Sequence, residues 1–89
     1  MTVSREVQIT NRRGLHARAS AKFVTLASAQ PLPVKVAKGC SSVTGTSIMG
    51  LMMLGAAMGD TIVISAIGDA AEQVVSAMCE LVEAKFGED

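Results

Sequence analysis

The chain has 89 residues, of which 49% are hydrophobic and 18% charged, and its eight basic residues balance its eight acidic ones. This length predicts one compact domain, residues 1–89, with a single core of modest stability. Two phenylalanines and no tryptophan or tyrosine argue against an aromatic-walled cofactor pocket and against base stacking on nucleic acid. We expect no cofactor, and we expect no membrane insertion because the apolar segment IMGLMMLGAAM is short and broken by glycine.

The first two predicted elements are a strand and a helix. Apolar and polar residues alternate from Val3 to Ile9, which predicts a strand that turns one side, including Arg5, toward the core. The residues NRRG then turn the chain. Apolar residues at helical spacing predict a helix from Ala17 to about Ala29, ended by Pro31 and Pro33.

The middle of the chain is predicted to form a hairpin and a short helix. Two strands, Val34–Ala37 and Cys40–Val43, are expected on either side of a turn at residues 38–39. A short helix is expected from Ser47 to about Met53, with Thr46 or Ser47 as its cap.

The last part of the chain is predicted to be a strand and a long helix. The segment Thr61–Ile67 gives the clearest strand signal, and Asp69 with Glu72 resembles a capping box at a helix start. The residues of this helix expected to face inward are Val74, Val75, Met78, Leu81, Val82 and Phe86.

The element order is β-α-β-β-α-β-α. Short connections and half-polar strands favour an α+β open-faced β-sandwich, in which a four-stranded antiparallel sheet carries three helices on one face. The two cysteines, Cys40 and Cys79, lack CxxC spacing and, with one histidine, make a poor zinc site. We expect both to be reduced, in a cytoplasmic protein that binds no metal.

Charge is unevenly distributed along the chain. Residues 1–45 contain seven of the eight basic residues, and residues 46–89 contain seven of the eight acidic ones. A basic cluster around the single histidine favours an acidic partner or a phosphate, although an ordinary solvated surface would have the same composition. The acidic second half argues against a nucleic-acid partner. The cluster consists of Arg12, Arg13, Arg18 and Lys22.

The single histidine, His16, stands at the predicted start of the first helix, where serine or asparagine would cap better. The first turn of a helix presents unpaired N–H groups that favour an anion, here those of Ala17, Arg18 and Ala19. Gly14 permits a close bend before the helix, and we expect the imidazole to be exposed. The positive field keeps a ring nitrogen neutral and nucleophilic. These features suit a histidine that accepts a phosphoryl group and passes it on, and a capping histidine without chemistry is the alternative.

Two segments resemble the signatures of one family. GLHARASAKFV resembles the phosphorylation-site signature of HPr, the histidine-containing phosphocarrier of the phosphoenolpyruvate-dependent phosphotransferase system. TSIMGLMMLG resembles the second HPr signature, around a regulatory serine. The resemblance implies that His16 accepts phosphate through Nδ1, that Arg18 supports the phosphate, and that Ser47 is the serine that HPr kinase/phosphorylase modifies in many relatives.

The resemblance also implies partners. Phosphate would arrive from enzyme I and leave to enzyme IIA domains, in sugar uptake or in nitrogen and regulatory signalling. We expect a monomer that is not an enzyme by itself, because the active sites of its partners complete each transfer.

Two features of the resemblance need separate interpretation. Ala19 stands where family members usually have proline, and because alanine keeps its N–H we expect transfer to survive. The short helix around the second signature cannot bury all of its apolar residues, so we expect a docking surface there. Its predicted members, with core packing as the alternative role of the apolar ones, are Arg12, Lys22, Ile48, Met49, Leu51, Met52 and Met53.

Other functions stay open at this point. A non-catalytic regulatory or interaction module of the same fold would use His16 only as a surface contact. A nucleic-acid binder would use the basic cluster and would show steeply salt-dependent binding. Ser47 would cap its helix in every case.

Overall fold

The computed structural model describes residues 1–88 and contains one four-stranded antiparallel sheet and three α-helices. The predicted open-faced α+β architecture is confirmed. In chain order, the elements are β1 (Thr2–Gln8), α1 (Ala17–Ser28), β2 (Lys35–Lys38), β3 (Ser41–Thr44), α2 (Ile48–Met53), β4 (Thr61–Ile67), α3 (Ala71–Glu83) and a 3₁₀ turn (Lys85–Gly87).

The sheet has the strand order β1-β4-β2-β3, so the last strand in sequence lies between the first two. β1 pairs with β4 from Thr2 opposite Ile67 to Gln8 opposite Thr61, and β2 pairs with both β4 and β3. Pairing of β1 with β4 continues into the next turn, where the Ile9 N–H donates to the Asp60 carbonyl at 2.8 Å. The chain that follows β1 is therefore held in place where it turns toward α1.

Each strand of the β1–β4 pair turns alternate residues toward the helices. In β4 the buried residues are Ile62, Ile64 and Ala66, while both strand ends are exposed. Arg5 lies on the helix side of β1, as predicted, because its guanidinium donates to the Ser76 Oγ of α3 at 3.1 Å. This alternation is what a sheet covered on one face requires.

The core lies between the sheet and the helices and is almost entirely aliphatic. Each helix contributes side chains to it, and both phenylalanines are buried in it. The largest fully buried side chains are Phe23, Phe86, Ile9, Leu51, Ile62, Ile64 and Met78.

Two predictions about the last helix are wrong. α3 starts after Ala70, which makes no side-chain capping bond, so Asp69 and Glu72 do not form a capping box. The Glu72 carboxylate instead lies 3.9 Å from the Arg5 guanidinium. Phe86 faces inward as expected, but it lies beyond α3, because Lys85 and Phe86 have left-handed φ values of 58° and 55°. That reversal turns the end of the chain back toward α1.

Candidate functional site

The site begins at the tight turn between β1 and α1. Gly14 has a φ of +62°, and a Cβ added there would collide with the Ala56 carbonyl oxygen and lie 2.9 Å from the Ala57 Cα. The next residue, Leu15, donates its N–H to the same Ala56 carbonyl at 2.9 Å. Glycine is therefore required at this position, both for its left-handed conformation and for the close approach of the two backbones.

His16 is the N-cap of α1. Its backbone is extended, with φ −72° and ψ 179°, and its Nδ1 accepts the Arg18 N–H at 3.3 Å. The first helical hydrogen bond runs from the Ser20 N–H to the His16 carbonyl at 2.9 Å. The N–H groups of Ala17 and Ala19 thus precede the helical ladder and, with that of Arg18, form the predicted anion-favouring tip.

The other edge of the imidazole contacts the end of the chain. His16 Nε2 lies 3.0 Å and 3.1 Å from the two carboxylate oxygens of Glu88. Asn11, which is fully buried, donates its Nδ2 to Glu88 Oε1 and to the Gly14 carbonyl, each at 2.8 Å. A ring nitrogen, a carboxylate and an amide thus form one connected group.

These contacts fix the proton on the ring. A carboxylate accepts hydrogen bonds and the Arg18 amide donates one, so Nε2 carries the hydrogen and Nδ1 keeps its lone pair. Hydrogen bonds from Asn11, and then from His16, lower the pKa of the Glu88 carboxyl below its ordinary value. The carboxylate form that can accept the Nε2 proton is thereby favoured.

His16 is more covered than the sequence indicated. Its side chain keeps 14% of its accessible surface, and that of Glu88 keeps 21%, so the expectation of an exposed imidazole is wrong. Glu88 accounts for the difference, since it covers the Nε2 edge. Among residues 1–88, the backbone amide of Arg18 is the one hydrogen-bond partner of the nitrogen at the helix tip.

The four residues of the predicted basic cluster are all exposed. Arg12, Arg13 and Arg18 are exposed, and within residues 1–88 their guanidinium groups make no hydrogen bond or ion pair. Lys22 instead donates its Nζ to the Phe86 carbonyl at 2.7 Å. Lys22 is exposed, and its part in docking stays a prediction.

Comparison with known proteins places this site in a family. A family model for the phosphorylation site of the PTS HPr component matches residues 3–84. The phosphocarrier protein HPr of Neisseria meningitidis serogroup A is 43% identical over 86 residues, which are 97% of this chain and 97% of that protein. The chain belongs to the HPr family.

Other relatives agree with this assignment. The phosphocarrier protein NPr of Shewanella violacea is 40% identical over 97% of this chain and 94% of its own. The crystal structure of HPr from Thermoanaerobacter tengcongensis superposes with a TM-score of 0.91 at 40% identity, covering 98% of both chains. The resemblance predicted from the two HPr signatures is confirmed.

The second HPr signature forms α2. Ser47 is its N-cap, as predicted, and the Ser47 Oγ accepts the Gly50 N–H at 2.9 Å. Leu51 is fully buried, so the prediction that it belongs to the docking surface is wrong, because the inward side of this short helix must fill the core. Four apolar side chains of α2 keep between 41% and 80% of their surface exposed, namely Ile48, Met49, Met52 and Met53.

Within residues 1–88, no group of three or more His, Cys, Asp or Glu side chains is placed to hold a metal ion. Cys40 is exposed and Cys79 is buried, and both are free thiols. Burial raises the pKa of the Cys79 thiol.

None of the helices within residues 1–88 is long and apolar enough to cross a membrane.

Sequence reasoning missed two residues of the site, Asn11 and Glu88. Asn11 looks like an ordinary turn residue, and Glu88 lies 72 residues from His16. The only signal in the sequence was the inward-facing Phe86, which indicated that the chain end packs on the domain. It did not indicate what the end would contact.

Proposed function

We propose that this chain is a phosphocarrier of the phosphotransferase system and that His16 Nδ1 accepts the phosphoryl group. The observation that carries the proposal is the pair of contacts made by the two ring nitrogens. Nε2 faces a carboxylate while Nδ1, with its lone pair, faces the first-turn N–H groups of α1. A nucleophilic nitrogen and an anion-favouring helix tip therefore meet at one position.

The transfer step needs no proton to leave the carrier. The Nδ1 lone pair gives up its long hydrogen bond from the Arg18 N–H and forms a bond to phosphorus as the bond between phosphorus and its donor group on enzyme I breaks, and the Nε2 hydrogen stays in place. The N–H groups of Ala17, Arg18 and Ala19 are the proposed donors to the phosphoryl oxygens, and the Arg18 N–H becomes available when it leaves Nδ1. The Arg18 guanidinium is exposed and unengaged by other described side chains, so it is available to hold a further oxygen.

Docking is proposed to use the exposed face of α2. Four apolar side chains there remain accessible, and α2 packs beside α1. Flexible methionines adapt to differently shaped partners, and the free guanidinium groups of Arg12 and Arg18 would attract acidic surfaces. Enzyme I and enzyme IIA domains are the proposed partners, and the carrier is proposed to work as a monomer in the cytoplasm.

Phosphoryl transfer to candidate acceptors determines whether the chain serves the sugar branch or the nitrogen branch of the phosphotransferase system. Relatives named HPr and NPr match this chain at 43% and 40% identity, so identity does not separate them. Offering the phosphorylated carrier to a sugar-specific and to a nitrogen-branch enzyme IIA domain, in equal amounts, identifies the branch by which domain gains phosphate.

Ser47 is the proposed regulatory phosphorylation site. Its Oγ accepts a capping bond, which leaves its own hydroxyl hydrogen free for transfer chemistry. A phosphate on Ser47 would add negative charge to the docking surface and oppose acidic partners. Incubation with ATP and HPr kinase/phosphorylase should label the wild type and not Ser47→Ala, and an unlabelled wild type would leave Ser47 with capping alone.

The central experiment is phosphoryl transfer from labelled phosphoenolpyruvate with purified enzyme I. The wild type should gain one phosphate that is acid-labile and alkali-stable, and His16→Ala should gain none. Circular dichroism of both proteins serves as the folding control. Labelling of a folded His16→Ala, or none of the wild type, would contradict the proposal.

A further inference from the structure

The end of the chain is anchored beside the helix tip by three contacts. Phe86 is buried in the core, and its carbonyl accepts the Lys22 ammonium at 2.7 Å. Asn11 then holds Glu88 Oε1 at 2.8 Å. Together these contacts place the Glu88 carboxylate on the imidazole.

The carboxylate meets the ring at the nitrogen that transfer does not use. Both Glu88 oxygens lie within 3.1 Å of His16 Nε2, and Nδ1 is left to the helix tip. Partners of this kind orient a histidine and set which nitrogen carries its hydrogen. A carboxylate behind a reacting imidazole also stabilises the positive charge that develops on the ring when the other nitrogen forms a bond.

We propose that Glu88 is a positioning residue for His16: its carboxylate holds the Nε2 hydrogen, orients the ring and leaves the Nδ1 lone pair facing the helix tip. Asn11 is the residue that holds the carboxylate. The expected effect of Glu88 on the rate of phosphorylation by enzyme I rests on the proposed phosphocarrier function. The structural consequence, the hold on the Nε2 hydrogen, exists in the unphosphorylated chain.

Three variants test the role. Glu88→Ala removes the acceptor, and Glu88→Gln keeps an amide oxygen that accepts a hydrogen bond without charge. Glu83→Gln is the matched control, since Glu83 is an exposed carboxylate at the end of α3. Thermal unfolding of all the variants checks that the fold is retained.

The first measurement is proton–nitrogen NMR of the imidazole in the unphosphorylated chain. In the wild type and in Glu83→Gln, the Nε2 hydrogen should be protected from exchange and give a resonance. In Glu88→Ala that resonance should be lost to exchange with water, and in Glu88→Gln it should be weakened. A Glu88→Ala variant with the ring resonances of the wild type would overturn the proposal.

The second measurement is the rate of phosphorylation by enzyme I. Loss of a residue that orients a reacting histidine should slow Glu88→Ala by about tenfold, with partial recovery in Glu88→Gln and none of the loss in Glu83→Gln. An unchanged rate in Glu88→Ala would overturn the positioning role, and a faster rate would overturn it and assign Glu88 a shielding one. A wild type that accepts no phosphate would contradict the phosphocarrier function instead, while the NMR result still decides whether Glu88 holds the ring.

Discussion

The starts of α1 and α2 share one feature of sequence and differ in the residue that caps the helix. Each has a glycine two positions before the cap, Gly14 before His16 and Gly45 before Ser47. Ser47 Oγ accepts an N–H at 2.9 Å, whereas His16 Nδ1 accepts one at 3.3 Å, which is long for a hydrogen bond from N–H.

The two caps differ in role: Ser47 stabilises the start of its helix, whereas His16 carries the nitrogen that is proposed to react. Serine is among the best N-cap residues, and within residues 1–88 the Ser47 Oγ makes no hydrogen bond other than this capping bond. His16 caps poorly but has a second nitrogen, which contacts Glu88. A residue that caps its helix poorly and carries a reactive ring nitrogen is expected at a functional site, where local rules of stability are often broken.

Replacing Gly14 or Gly45 by alanine should give the largest changes in the free energy of unfolding, and the two changes should be unequal. Gly14→Ala forces a left-handed alanine and a backbone collision, so it should lower the free energy of unfolding by about 3 kcal/mol or more. Gly45→Ala brings a Cβ only to 3.1 Å from the Phe23 and Val34 side chains and should cost about 1 kcal/mol. Urea unfolding measures both, and equal costs would show that the first turn has another geometry.

Substituting each cap in turn should show which of the two stabilises the fold. Ser47→Ala should lower the free energy of unfolding by about 1 kcal/mol, because it removes a good cap. His16→Ser should change that free energy by less than about 0.5 kcal/mol, since serine caps well and compensates for the lost ring contacts. Chemical unfolding compares them. A large loss in His16→Ser would mean that His16 is kept for the fold.

The contact between His16 and Glu88 should give the α1 start a dependence on pH that the α2 start lacks. The folded-state pKa of the Glu88 carboxyl is lowered by hydrogen bonds from Asn11 and His16. Its stabilising contribution is therefore complete above the ordinary carboxyl pKa and is lost as pH falls through the lowered value. His16 and Lys22 are the titratable groups that face it.

Unfolding measured from pH 7 down to pH 3 tests this. The wild type should lose more stability than Glu88→Gln over that interval. The pKa of Asp60, lowered mainly by a hydrogen bond from the Ala57 N–H and then by Lys38, contributes equally to both proteins and cancels in the comparison. Parallel pH profiles for the two proteins would show that Glu88 is unpaired in solution.

The smallest effect is expected at Ala19. Its N–H precedes the first helical hydrogen bond, so Ala19→Pro removes no bond of the helical ladder. The free energy of unfolding should change by less than about 1 kcal/mol, and His16 should still accept phosphate from enzyme I. Complete loss of labelling in a folded Ala19→Pro would show that this N–H is essential for transfer.

Periodicity was sufficient to predict most of the fold. The alternation in β4 predicted both of its ends, Thr61 and Ile67, because one covered face imposes a strict period of two. The hairpin strands start one residue later than predicted, since short strands beside a tight turn give little pattern. The predicted start of α3 was wrong because the N-cap is Ala70 and not Asp69, so Glu72 lies one position too early for a capping box.

The site could be predicted only where its residues are neighbours in sequence. His16, Arg18 and the first-turn amides form a local unit, and a helix start has the same donors in any fold. The partners Asn11 and Glu88 depend on where the left-handed Lys85 and Phe86 turn the chain. That turn is held by burial of Phe86 and by the Lys22 contact, which no local pattern contains.

The position of the phosphate on the ring tests the central claim most directly. After incubation with phosphoenolpyruvate and enzyme I, phosphorus–nitrogen NMR of the isotope-labelled chain should show one phosphoryl group on His16 Nδ1, with Ser47 unmodified. That result would agree with a lone pair held at the helix tip. Phosphate on Nε2, or on another residue, would contradict the account.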